Sequence, residues 1–125
     1  MTFIDPKATV EYKIDEQNTI WLKAKMDLRT KSAVQRDLLQ MRVSDGSSDM
    51  AVHFSQMGQW LAVLKHNIVR WHGPRFVDED GKRVPCKAEN IDRLDPDANA
   101  DWLEAVVDKI DELNTPATVE SADPN

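Results

Sequence analysis

The sequence predicts an α+β domain, mainly α, in which an N-terminal β-hairpin packs on a small bundle of three to four helices, followed by a disordered C-terminal tail. Three observations carry this. Apolar residues alternate with polar ones only near the N-terminus, the period of half-buried strands. Further on they recur every three to four residues, the period of a helix with one apolar face. The chain has 125 residues, 41% of them hydrophobic, with four Trp, which suffices for one core of ordinary domain size. A single globular domain is expected over residues 1–114 and a disordered tail over 115–125.

Val10, Tyr12 and Ile14 alternate with polar residues over 9–14, so this stretch reads as a strand. Asp15-Glu16-Gln17-Asn18 is a turn. Over 19–26, Ile20, Leu22, Ala24 and Met26 share one face and Trp21, Lys23 and Lys25 the other. The pair reads as an antiparallel hairpin.

Thr30 or Ser32 is a suitable cap for a helix through about Met41, with Val34, Leu38 and Met41 on one stripe. Ser44 to Asp49 has the chemistry of a loop, and Met50 to Phe54 is read as a short strand. Ser55 then caps a helix running to about Trp71, whose apolar face holds Met57, Trp60, Leu61, Leu64, Ile68 and Trp71. Gly73-Pro74 ends it.

Asp80-Gly81 between two short apolar flanks marks a small hairpin or tight turn. Residues 88–94 form a short helix using Ile91 and Leu94. Asp95, Asp97 or Asn99 caps the last helix, which carries Trp102, Leu103, Val106, Ile110 and Leu113 and ends near Asn114. The segment from Thr115 has two prolines and no periodicity, hence the expected disorder.

Charge is uneven. Residues 1–76 carry 11 basic and 8 acidic side chains, and residues 77–125 carry 5 and 14, for a net charge of −6. A net-acidic chain is a poor general ligand for phosphate backbones, so no nucleic-acid partner is expected. No apolar run approaches the roughly 18 residues of a membrane-spanning helix, and no membrane partner is expected. The first residues lack the basic and apolar regions of a secretory signal. Cys86 is the single cysteine, so an intramolecular disulfide is excluded and a reducing, intracellular setting fits best.

No constellation dictates a chemistry. His53, His66 and His72 lack metal-ligand spacing and read as surface or partly buried histidines. A calcium loop centred on Gly81 would put Phe76 and Lys87 at positions that need carboxylates. Asp95 to Asp101 has oxygen donors at alternate positions but Ala100 in place of the loop glycine, and reads as a helix start. The four glycines are too scattered for a phosphate loop. Cys86, between Pro85 and Lys87, reads as a buried or half-buried structural thiol. No catalytic residue, cofactor or metal is expected.

The tryptophans are the remaining candidates. Trp60, Trp71 and Trp102 fall on apolar helical faces and default to the core. Trp21 sits across its strand from the apolar face, so either a helix covers that face or Trp21 is a partner contact. Large aromatics make good interface anchors. Trp21, Trp60 and Trp71 are therefore the candidate partner-binding residues.

Residues 60–113 carry a recognisable order. A helix-like stretch ends in Ile68-Val69-Arg70-Trp71-His72-Gly73. Val77-Asp78-Glu79-Asp80-Gly81-Lys82-Arg83-Val84-Pro85 follows, then Glu89-Asn90-Ile91-Asp92-Arg93-Leu94, then a final helix ending in Leu113-Asn114. With Ile20 to Arg29 as opening strand and helix lead-in, this order resembles the tail assembly chaperones of long-tailed bacteriophages over about residues 19–113. The chain departs from that pattern after Pro85, where Cys86-Lys87 replaces an aromatic and a capping Ser or Thr.

The resemblance implies a non-enzymatic protein that binds the tape-measure protein and helps recruit tail-tube subunits. It implies action in the host cytoplasm during assembly and absence from the mature virion, with a homo-oligomer allowed. The alternatives are a structural head–tail connector or tail-completion protein, or a small acidic protein-binding inhibitor that uses residues 77–125.

Overall fold

The computed structural model describes residues 2–45 and 49–115, with side chains described over 2–40 and 57–115. Strands β1 (Thr9–Lys13) and β2 (Thr19–Lys23) form the expected hairpin. Helix α1 (Leu28–Asp45) follows, then α2 (Asp49–Asn67), strand β3 (Ile68–His72), a 3-10 turn at Pro74–Phe76, the short helix α3 (Ala88–Ile91) and helix α4 (Ala100–Asn114). The sheet is antiparallel throughout, in the order β1-β2-β3. The expected fold class, a mainly helical α+β domain with an N-terminal hairpin, is what the chain adopts. Of the tail expected over 115–125, residues 116–125 lie outside the described residues, as does the centre of the expected Ser44–Asp49 loop.

Several local expectations are corrected. Asp27 caps α1, its Oδ1 accepting the Thr30 amide at 2.9 Å, in place of Thr30 or Ser32. The helix continues past Met41 to Asp45. Met50 to Phe54 is helical backbone within α2, and Ser55 lies inside that helix. A short apolar run carries too little periodicity to separate strand from helix, and Met50, Phe54, Met57, Leu61 and Leu64 continue one helical spacing.

The largest correction concerns Ile68 to His72. The expected helix through Trp71 stops at Asn67, and the next five residues pair with β2. An irregularity opposite Trp21/Leu22 inserts an extra residue, so Leu22 faces Ile68 while Ile20 faces Trp71. A bulge of this kind lets two residues three apart share one face, which is also the spacing of a helix. β-Branched Ile68 and Val69 favour the extended form.

Later elements come in the expected order, but the short helix expected over 88–94 ends at Ile91, and Asp92 and Arg93 form a turn. Val77 bridges Arg83 across the Asp80-Gly81 turn, where Gly81 has φ +78°. Asp95 caps a turn by accepting the Asp97 and Ala98 amides, and α4 begins at Ala100. Lys87 precedes α3 without a side-chain cap bond, as its residue type requires.

The core lies between the inner face of the sheet and α2, α3 and α4. Ile20 and Leu22 from β2 meet Leu64, Ile68, Trp71, Phe76, Ile91, Trp102, Leu103, Val106, Val107 and Ile110. Trp71 stacks on Phe76 with ring centroids 4.6 Å apart, and Phe76 meets Trp102 edge-on at 6.2 Å. Such aromatic pairs contribute about 0.5–1.5 kcal/mol beyond burial. Helix α1 packs along α2, burying Val34 and setting Asp37 Oδ2 2.8 Å from His66 Nε2. The Met26 amide donates to Asn114 Oδ1 at 2.7 Å, tying the end of α4 to the chain leaving β2.

Candidate protein-binding surface

The structure separates the three candidate tryptophans. Trp71 is 5% exposed, and its indole N–H donates to the Val84 carbonyl at 2.7 Å. It is a core residue whose polar atom is already satisfied. Trp21 is half-buried on the outer face of the sheet, between Glu11 on β1 and Arg70 on β3. The Arg70 guanidinium lies 4.2 Å from the Trp21 ring centroid, a cation–π contact that covers part of the ring. The cover that the sequence reading assigned to a helix comes in part from a cation on the neighbouring strand.

Trp60 is different again. It is half-buried in α2 beside an apolar groove of about 270 Å³ formed where α2 meets α3 and α4. Met57, Leu61 and Leu64 line it from α2, Ile91 and Leu94 from α3 and the turn after it, and Leu103 from α4. Met57 stands at its rim, 51% exposed. The helical spacing of residues 57, 60, 61 and 64 puts these side chains on one face of α2. Leu64 and Leu103 are buried and give the groove a rigid floor. The flexible thioether of Met57 can adapt to different apolar shapes. Asp92 at the rim pairs with Lys65 at 3.3 Å, which marks the polar margin.

A second, wider cavity of about 590 Å³ opens between the 76–84 hairpin and the 90–99 segment. Asp78, Glu79, Asp80 and Asp95 at its edge are exposed. Asp78 accepts the Asp80 and Lys82 amides, and Asp95 those of Asp97 and Ala98. These carboxylates organise turns and remain hydrated, so they lack the burial that separates a catalytic acid from a base.

Elsewhere, polar groups are tied up structurally. Arg75 bonds Asp101 through both terminal nitrogens, at 3.1 and 2.7 Å, and Asp15 through Nε at 3.3 Å. His72 Nδ1 lies 3.1 Å from Arg83 Nη2. Cys86 is half-buried, and burial pushes its thiol up to about 11. Among the described residues, no three His, Cys, Asp or Glu side chains gather as a metal site, and no helix is long and apolar enough to cross a membrane.

No protein-family model, no curated protein and no solved structure matches this chain. The groove beside Trp60 is the apolar surface on which a functional reading is based.

Sequence reasoning named Trp60 but not its setting. Met57, Leu61 and Leu64 were visible as members of a wide apolar face, whereas the contributions of Ile91, Leu94 and Leu103 depend on how α3 and α4 close against α2. Arg70 is not legible as the partner of Trp21, because the apolar spacing around it also fits a helix.

Proposed function

We propose that this chain is a non-enzymatic tail assembly chaperone of a long-tailed phage, which holds the tape-measure protein soluble and helps recruit tail-tube subunits. The supporting observation is the apolar groove rimmed by Met57 and Trp60 and floored by Leu64 and Leu103. A client helix with one apolar stripe suits such a groove, because its side chains repeat at the three-to-four-residue spacing along one face. A groove of this size gives modest affinity per copy. Many copies along one long client supply avidity and still permit release. The order of sequence motifs over residues 19–113 supports the same reading through its resemblance to that family.

The test is co-expression of the chain with the tape-measure protein of its own phage. The native chain keeps the client soluble and copurifies with it. Met57→Asp, which charges the groove at an exposed position, loses the client while retaining its far-UV circular dichroism. Recovery of the chain as a stoichiometric part of purified particles, bound to portal or connector proteins, would overturn the chaperone reading in favour of a structural head–tail component.

A further inference from the structure

Strand β1 forms an edge of the sheet, and its outer side is unpaired among the described residues. Its inner side bonds β2 through even-numbered residues. The Ala24 amide donates to the Ala8 carbonyl and the Ile14 amide to the Asn18 carbonyl, each at 2.9 Å, with Val10 opposite Leu22 and Tyr12 opposite Ile20 between them. In an antiparallel ladder the alternate residues turn their amide and carbonyl groups the other way. Thr9, Glu11 and Lys13 therefore present backbone donors and acceptors outward. On the other edge, beyond β3, the Cys86 thiol lies 3.9 Å from the Ile68 carbonyl.

An open edge of this kind accepts a further strand, and the charges along it select which one. Self-pairing must match outward-facing residues, which limits the registers. Setting Glu11 opposite Glu11, or Lys13 opposite Lys13, places like charges together. Setting Thr9 opposite Thr9 or Glu11 places Glu11 or Lys13 opposite Lys7, which lies in a turn outside β1 and cannot extend the ladder. Setting Glu11 opposite Lys13 pairs opposite charges, twice by symmetry. That register also places Tyr12 against Tyr12 and Val10 against Ile14, all half-buried side chains on the core-facing side of the strand.

We propose that a second copy of this chain pairs antiparallel through β1 in the Glu11-to-Lys13 register, joining two three-stranded sheets into one across a two-fold axis. The pairing does not depend on the identity of any client.

Sedimentation of the full chain over a wide concentration range tests this. The native chain shows a reversible monomer–dimer equilibrium that weakens with salt. Glu11→Lys and Lys13→Glu each raise the dimer dissociation constant about tenfold or more, because two facing ion pairs become two repulsions. Both positions are exposed, so far-UV circular dichroism stays unchanged. An equimolar mixture of the two variants recovers the dimer, since each then faces complementary charges at both positions. The double variant E11K/K13E dimerises like the native chain. A chain that stays monomeric at every concentration, or a dimer indifferent to either reversal, overturns the proposal. A mixture that fails to recover the dimer overturns the register.

Discussion

Gly73 lies directly against Asn18. A Cβ at Gly73 would stand 2.3 Å from Asn18 Oδ1 and 2.5 Å from the Gln17 carbonyl, and Gly73 has φ +133°, where side chains are strained. Asn18 is 3% exposed; its Oδ1 accepts the Arg75 amide at 2.9 Å, and its Nδ2 donates to Asp15. The β1–β2 turn is thereby keyed into the chain leaving β3. Gly73→Ala is expected to destabilise the fold by about 2–4 kcal/mol, combining backbone strain with a steric clash. Urea unfolding measures this as a lowered midpoint at constant slope.

The Trp102 indole is the next position where one atom matters. It donates to Asn99 Oδ1 at 2.8 Å, and both residues are buried. Asn99→Ala leaves that donor without a partner, at a cost of about 1–3 kcal/mol. Adding Trp102→Phe removes the orphaned donor, so the double variant loses less than the sum of the singles. A double-mutant cycle in chemical denaturation reads this coupling directly.

Acid sensitivity follows from Asp15. The Asn18 side-chain amide, helped by the Gln17 backbone amide, holds its carboxyl below the ordinary value of 3.8. The folded state therefore keeps Asp15 ionised at a pH where the unfolded chain takes up a proton. Its contribution is complete above the unfolded value and is lost as the pH falls below about 4. Thermal unfolding from neutral to acidic pH should show a melting temperature that drops in this range. Asp15→Asn should flatten that drop while lowering stability at neutral pH.

Cys86 gives a kinetic prediction. With its thiol pushed up to about 11 by burial, little thiolate exists at neutral pH. Alkylation of the folded chain by iodoacetamide at mildly alkaline pH should be slower than that of the urea-unfolded chain by roughly a hundredfold, since the thiolate is the reactive form. Equal rates would show that the thiol is neither buried nor shifted.

Parts of the fold were legible because their signals are local. Val10, Tyr12 and Ile14 alternate over one strand, and Ile20 and Leu22 over the next, so the hairpin could be drawn from neighbours alone. In α4, Trp102, Leu103, Val106 and Ile110 fall on one face, and all four are buried. The Asp80-Gly81 turn carried its own chemistry in a residue that tolerates positive φ. The candidate surface was legible only in part. Trp60 was named, but Leu94 and Leu103 join it from elements more than thirty residues away.

The sequence by itself determined the fold class, the hairpin, the last helix and the scarcity of reactive groups. All of these depend on composition or on spacing within a few residues. The tertiary structure decided that Ile68 to His72 is a third strand, because a bulge reproduces helical spacing and only pairing with β2 reveals the difference. It also decided the fates of the tryptophans. Trp71 is sealed by Phe76 and Val84, Trp21 is covered by Arg70, and Trp60 borders an open groove. Burial is settled by what packs against a side chain, and in each case some of those neighbours come from distant parts of the chain.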